Sequence, residues 1–160
     1  MPGDPTPVRG HGIDACTEFV AVAAPKLRRA FAARYGVELA DDITAEAVAH
    51  AWKNWDRISL MENPTGFLFS VGCSKARRYT RWKSVVAFPV EPVRPVESRR
   101  DLFDGLRKLS GEQRVAVLAV HGYGWTYAEV AEILGVSQAA VTNHVHRGLA
   151  KLKNLLKETP

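Results

Sequence analysis

Prolines at every third position, Pro89, Pro92 and Pro95, divide the chain into two parts. Proline lacks the backbone N–H that helices and sheets require, so neither structure is favoured in this stretch. Its three-residue spacing matches the turn of a polyproline II helix. At ~3.1 Å per residue, a segment of this length could span ~50 Å. We therefore predict a flexible tail, a first folded block, a semi-rigid linker and a second folded block, over residues 1–13, 14–83, 84–100 and 101–160.

Both blocks show the 3.6-residue apolar periodicity of helices and almost no alternation typical of strands. In the first block, Pro25 is expected to kink or restart the first helix, and Gly36 to end it. Asp41 and Asp42 are expected to cap the second helix. Asn63 precedes a proline, a pattern typical of a helix start. The sequence therefore predicts an all-α protein made of two small helical domains joined by a Pro-rich linker.

The second block contains two helix start signals separated by a glycine. Thr126 and Glu129 form a capping box that opens a short helix, and Ser137 can cap a longer one. Between them, Gly135 permits the positive φ of a tight turn. The expected core residues are Ile133, Val136, Val141, Val145, Leu149, Leu152 and Leu156. This pattern predicts a helix-turn-helix, which places its second helix in the DNA major groove.

The face of that second helix opposite its apolar stripe is polar and basic. Asn143 can pair with adenine, and Arg147 with guanine or phosphate. The small Ala139 and Ala140 permit close approach to the bases. The candidate DNA-binding residues here are Gln138, Ala139, Ala140, Thr142, Asn143, His146, Arg147 and Lys151. The alternative is a helical hairpin whose polar face is simply solvated.

A second basic stretch, residues 75–83, carries five positive charges and no acid. Its charges suit phosphates, and its aromatic rings could stack on unpaired bases. Its candidate DNA-binding residues are Lys75, Arg77, Arg78, Tyr79, Arg81, Trp82 and Lys83. The alternative, equally open, is a solvated basic helix whose Tyr79 and Trp82 face the core.

A third feature has the opposite charge. Glu38, Asp41, Asp42 and Glu46 place four acids and no base within nine residues. Such a patch repels DNA and suits a basic protein surface. Capping of a helix amino end explains the same acids without any partner.

Composition excludes several classes of protein. The chain has 160 residues, 22 Lys plus Arg against 17 Asp plus Glu, and a net charge of +5. The sequence contains no run of 18 apolar residues, so no membrane span is predicted. Its amino-terminal residues do not resemble a secretory signal. The five histidines lack the spacing of metal ligands, and the sequence contains no nucleophile motif or P-loop. Cys16 and Cys73 are expected to be buried, small apolar residues rather than nucleophiles. We expect a cytoplasmic protein without cofactor, metal or enzymatic activity.

Taken in order, these parts resemble an extracytoplasmic-function (ECF) sigma factor of the sigma-70 family. The resemblance is carried by Ala24-Pro-Lys-Leu27, by the acidic helix over residues 40–55, by Leu109-Ser-Gly-Glu-Gln-Arg114 and by Tyr127-Ala-Glu-Val-Ala-Glu-Ile-Leu-Gly-Val-Ser137. It covers residues 19–156 and implies a helical region 2, a linker and a helical region 4.

The resemblance also implies roles. Asp41, Asp42 and Glu46 fall where core RNA polymerase is bound. The helix over residues 63–83 falls where the −10 element is melted, and Thr142, Asn143, His146 and Arg147 fall where the −35 element is read. Promoter elements about 17 base pairs apart are separated by ~58 Å, a distance that the linker and two domains can cover. The implied partners are core RNA polymerase, promoter DNA and, as in many members, an anti-sigma factor.

The sequence also departs from the family's pattern, and a competing function is open. The sequence departs from the family's usual residues at Ala45, Gly72-Cys73-Ser74, Ala139-Ala140 and Thr142-Asn143-His144, which predicts unusual promoter preferences. The competing hypothesis is a stand-alone helix-turn-helix regulator that binds duplex DNA without polymerase, with the first block serving dimerisation or sensing.

Overall fold

A computed structural model describes residues 12–80 and 97–158, and it describes side chains within 12–78 and 100–158. These residues form helices and no strand. The helices are α1 (Ile13–Tyr35), α2 (Val37–Lys53), α3 (Trp55–Ile58), α4 (Pro64–Thr80), α5 (Glu97–Arg107), α6 (Gly111–Val117), α7 (Tyr127–Leu134) and α8 (Gln138–Lys157). A π-helical turn, Leu118–Gly122, continues α6. The all-α prediction is confirmed.

The first two helices are joined by a single residue. Gly36 has a φ of 94°, which a residue with a side chain rarely adopts, and its N–H donates to the Ala32 carbonyl at 2.9 Å. Because the chain reverses here at once, α2 begins at Val37. The prediction that Asp41 and Asp42 cap α2 is therefore wrong, since both lie inside the helix. The predicted restart at Pro25 is also wrong, because α1 continues through it.

The core of the first block forms where α1, α2 and α4 meet. Leu27 and Phe31 of α1 and Ile43 of α2 are fully buried. Phe31 stacks on Phe69 of α4 with ring centroids 5.1 Å apart. Gly72 makes this possible, because a Cβ at that position would lie 2.1 Å from the Phe31 ring. The predicted cap of α4 is confirmed, since the Gly66 N–H donates to Asn63 Oδ1 at 2.9 Å.

The second block begins earlier than predicted. Helix α5 starts at Glu97, so the last four residues of the predicted linker are helical. The rest of that linker, including its three prolines, lies outside the described residues. Residues 1–11 of the predicted tail of residues 1–13 lie outside them as well, and its last residue, Ile13, already begins α1.

The core of the second block differs from the predicted apolar stripe of α8. Val141, Val145, Leu152 and Ile133 are buried as predicted. Three expected core residues are instead 37–41% exposed, namely Val136, Leu149 and Leu156. On the buried side of α8, Gly148 instead lies against α6. A Cβ at Gly148 would lie 2.7 Å from Val117 Cγ2, so this glycine sets how closely α8 packs on α6.

The two blocks pack directly on each other, with α1 against α6 and α4 against α7. Val115 and Ile133 from the second block are buried in the same apolar cluster as the first block's core. Leu118, Trp125 and Leu134 pack against that cluster. Among the described residues, no helix is both long enough and apolar enough to cross a membrane.

Candidate nucleic-acid interface

The helix-turn-helix is built by caps at both of its helices. The Thr126 hydroxyl accepts from the Glu129 N–H at 3.1 Å, and Glu129 accepts from the Thr126 N–H at 2.8 Å. Gly135 adopts the left-handed conformation with a φ of 65°. Ser137 Oγ then accepts from the Ala140 N–H at 3.1 Å and starts α8. All three sequence predictions for this motif are confirmed, and together they fix the angle at which α8 leaves the turn.

The candidate DNA-binding residues of α8 lie on its solvent side. Ala140 is half-buried, and the others are exposed: Gln138, Ala139, Thr142, Asn143, His146, Arg147 and Lys151. Most of them point away from the buried Val141, Val145 and Leu152, as the helical period requires. No acid occupies the first turn of α8, so the positive end of the helix dipole is not neutralised there.

Some of these side chains already have partners. The Thr142 hydroxyl donates to the Gln138 carbonyl at 3.0 Å. Lys151 Nζ donates to the Lys108 carbonyl at 2.7 Å and so joins α8 to the end of α5. Within the described part of the chain, the side chains of Asn143, His146 and Arg147 make no hydrogen bond or ion pair. These three are therefore the side chains most available for DNA.

The basic stretch of residues 75–83 is only partly described. Arg77 and Arg78 are exposed near the end of α4, and Lys75 is half-buried. Lys75 Nζ lies 3.6 Å from Glu46 Oε2, so one candidate DNA contact is paired with one candidate polymerase contact. The side chain of Tyr79 and the residues Arg81, Trp82 and Lys83 lie outside the described residues.

The acidic patch lies on the solvent side of α2. Asp41 and Asp42 are exposed, whereas Glu46 is half-buried. Asp41 Oδ1 accepts from Arg28 Nε of α1, and this hydrogen bond and the charge of Asp41 raise the pKa of Arg28. Asp42 and Glu38 are exposed and make no such bridge within the described residues, so their carboxylates are available to a partner.

Groups suited to catalysis or metal binding are sparse. The described residues contain no cluster of three His, Cys, Asp or Glu side chains that could hold a metal ion. Cys16 is buried and Cys73 is half-buried, both as free thiols, and burial raises the pKa of each. An open groove of about 400 Å³ runs beside Phe19, Val22 and Trp55, with Glu132 of the second block at its edge.

Two residues important to this site had no predicted role. Gly148 sets the packing of α8, and its only sequence signal is a small residue within the apolar stripe. Arg114 lies in α6 directly before the apolar Val115, Ala116 and Val117, and its guanidinium joins the two blocks through backbone carbonyls. The sequence signal for Arg114 is a charged residue directly before the apolar Val115, Ala116 and Val117.

An exposed, basic second helix on a capped turn defines the class of this protein as a helix-turn-helix DNA-binding protein with an additional helical block. The family model described as "Sigma-70, region 4" matches residues 99–152. The ECF RNA polymerase sigma factor SigL of Mycobacterium tuberculosis is 26% identical over 133 residues, which cover 74% of this chain and 75% of that protein. The RNA polymerase sigma factor CarQ of Myxococcus xanthus is 38% identical over 60 residues, 38% of this chain and 34% of that protein.

The fold is also similar to that of a solved sigma factor. The sigma factor RpoE of Bartonella quintana, in complex with the anti-sigma factor NepR, matches with a TM-score of 0.59 and 20% identity over 92% of this chain and 100% of that chain. The chain is therefore similar to region 4 of the sigma-70 family over residues 99–152 and to an ECF sigma factor over 74% of its length.

Proposed function

We propose that this protein binds core RNA polymerase and directs it to promoters through two DNA contacts. The −35 element is read by the exposed face of α8, the −10 element is melted and read by residues 63–83, and polymerase is held by Asp41, Asp42 and Glu46. The observation that carries the proposal is the helix-turn-helix itself: its available side chains Asn143, His146 and Arg147 lie within the segment that matches sigma region 4.

The proposed domains follow the two helical blocks. Residues 14–83 act as region 2, the following segment as linker, and residues 101–160 as region 4. Because α5 already starts at Glu97, the region 4 domain is better begun at residue 97, four residues earlier in the chain.

The protein acts by recognition alone, and the polymerase performs the chemistry. We infer that it works in the cytoplasm without a cofactor, where core polymerase and promoter DNA are found. The related fold of RpoE was solved with an anti-sigma factor bound, which supports a dedicated inhibitor as a further partner of this chain.

The competing function is a stand-alone regulator, and DNA footprinting separates the two. The purified chain, core polymerase and their mixture are each incubated with promoter fragments bound in the host. We expect protection of two elements, about 17 base pairs apart, only in the mixture. Equal protection by the chain alone, over a palindromic site, would favour the stand-alone regulator.

A further inference from the structure

A histidine without a hydrogen-bond partner lies on the side of α2 that faces α4. His50 Nε2 is buried and makes no hydrogen bond within the described part of the chain. The ring centroid of His50 lies 6.0 Å from that of Phe67 on α4. Buried polar atoms without a partner are rare in folded proteins, and the charges around His50 indicate a reason for this one.

Positive charges follow His50 on the same face of α2 and continue onto α3. Lys53 lies three residues after His50, and Arg57 lies four residues after Lys53, which are the spacings of neighbours on one helical face. The face continues because only Asn54 separates the two helices, and its carbonyl accepts from the Ile58 N–H at 2.9 Å in the helical pattern. Both bases are exposed, and neither forms an ion pair with another described residue.

Helix α4 supplies a third positive charge beside the same face. Lys75 Nζ lies 3.6 Å from Glu46 Oε2, and Glu46 is one turn before His50 on α2. Lys75 is also the first residue of the basic stretch 75–83. The charges on α2 and α3 therefore meet the candidate DNA contacts of α4.

Three bases from three helices thus surround one histidine, and we call them the cation cluster: Lys53, Arg57 and Lys75. Burial lowers the pKa of His50, and the charges of the cluster, led by that of Lys75, lower it further. Two acids lie beside the cluster, since Glu46 pairs with Lys75 and the exposed Asp56 precedes Arg57. The cluster therefore keeps an excess of positive charge, which disfavours a proton on His50.

A phosphate group is the ligand that this arrangement suits. Lysine and arginine are the usual contacts of nucleic-acid phosphates, and neighbours on a helical face are about 5–6 Å apart, so one phosphate can contact two of them. Its negative charge offsets the effect of the cluster on His50 and raises the pKa of the ring. Because such coupling is reciprocal, the protonated ring in turn favours the phosphate.

We propose that the cation cluster binds one phosphodiester group of a DNA strand and that His50 takes up a proton from solvent as the phosphate binds. The site adds Lys53 and Arg57 to a DNA surface that otherwise comprises α4 and α8. The proposal rests on the proposed function for the identity of the strand as promoter DNA. The phosphate site itself is tested on the free chain without polymerase, so its failure and that of the proposed function can be told apart.

The first test follows the His50 ring by NMR in the full chain, with His50→Gln used to assign its signals. The pKa of His50 is measured with sodium chloride alone, with sodium sulfate and with a short oligothymidylate, all at one ionic strength. We expect sulfate and the oligonucleotide both to raise it. In Arg57→Gln the pKa should be higher from the start, because one positive charge is lost, and should rise less when the oligonucleotide is added.

Lys26→Gln is the matched control for the loss of a positive charge. Lys26 lies on α1, and its charge is not among those that act on His50, so this variant should respond as wild type. An unchanged pKa of His50 with both anions would overturn the proposal. A response to sulfate alone would also overturn it, because the site would then bind small anions and not a DNA strand.

The second test measures affinity for labelled oligothymidylate by anisotropy, over a series of salt concentrations. Lys53→Gln and Arg57→Gln should each reduce the slope of log affinity against log salt by ~0.7, the value for one phosphate contact on a single strand, whereas Lys26→Gln should leave it unchanged. Wild type should bind more tightly at about pH 5.5 than at about pH 7.5, and this difference should shrink in His50→Gln. Equal pH dependence in these two proteins, or unchanged slopes in both cluster variants, would contradict the proposal.

Discussion

Asn143 and Arg147 project from α8 on the side away from Val141 and Val145, and this separation can be predicted from helical periodicity alone. Periodicity does not predict which exposed side chain is already hydrogen-bonded to another part of the protein. Lys151 is exposed, as Arg147 is, yet its ammonium group is hydrogen-bonded to the Lys108 carbonyl at 2.7 Å. The difference arises from the end of α5, which is distant in sequence, so it could be learned only from the structure.

Asn143→Ala tests base readout by α8. An asparagine that pairs with adenine contributes about 1–3 kcal/mol of discrimination against other bases. We expect the variant, in complex with core polymerase, to bind its −35 element more weakly and to lose preference at one base pair. Anisotropy titrations with single-base variants of the element measure this.

Asn154→Ala is the matched control for that substitution. Asn154 is exposed on the same helix but lies ~16 Å further along it, beyond the proposed reading face. Its binding should follow wild type at every base pair. A uniform loss for Asn143→Ala, with no change in base preference, would contradict direct readout.

His50 gives the first block a pH dependence. Burial lowers its pKa, and the charges of Lys75, Arg57 and Lys53 lower it further. Because the unfolded chain then binds the proton more readily, the folded state loses stability as the pH falls below the ordinary value of 6.5. We expect the free energy of unfolding in urea to decrease from about pH 7.5 to about pH 5.5.

The decrease should be smaller in His50→Gln, while the exposed His121→Gln should behave as wild type. Equal decreases in all three proteins would show that His50 is not the group responsible.

At the scale of helices, local chemistry predicted three of the helix starts. The predicted caps at Asn63, Thr126 and Ser137 are all present, because each depends only on residues within one turn. The capping role of Asp41 and Asp42 was wrong, because the positive φ of Gly36 lets α2 start before them. A glycine can end one helix and begin another at once, and sequence pattern alone does not distinguish these cases.

Ser137→Ala tests the cap at the start of α8. Loss of an amino-terminal cap costs about 1 kcal/mol, and here it also loosens the turn that carries Gln138, Ala139 and Ala140. We expect a lower urea midpoint together with weaker binding to the −35 element. Ser70→Ala, at an exposed position inside α4, should be neutral or slightly stabilising, since alanine favours helix interiors. Unchanged stability in Ser137→Ala would show that this cap does not stabilise the start of α8.

At the scale of the whole molecule, sequence predicted two blocks but not their packing on each other. The apolar pattern shows that Val115 and Ile133 must be buried, yet it does not show that their partners belong to the other block. They are buried in a cluster shared with the first block. Arg114 and Asn63 also donate to backbone carbonyls of the opposite block, and all of these contacts join residues far apart in sequence. The sequence order of the acidic, basic and helix-turn-helix segments nevertheless predicted the resemblance to ECF sigma factors.

Asp42→Asn tests the surface assigned to polymerase. Asp42 has no ion pair within the described residues, whereas Asp41 is bonded to Arg28. We therefore expect Asp42→Asn to weaken binding to core polymerase more than Asp41→Asn does, with a loss that is smaller at high salt. Titration with labelled core polymerase measures the affinity. Asp56→Asn, an exposed acid on α3, is the control, and an equal loss there would indicate a general charge effect.

The most direct measurement of the central claim is run-off transcription of fragmented host genomic DNA, followed by sequencing of the RNA 5′ ends. Core polymerase is assayed alone and with the purified chain. We predict start sites that appear only when the chain is present and that share two upstream elements about 17 base pairs apart. Transcripts that are the same with and without the chain would contradict its assignment as a sigma factor.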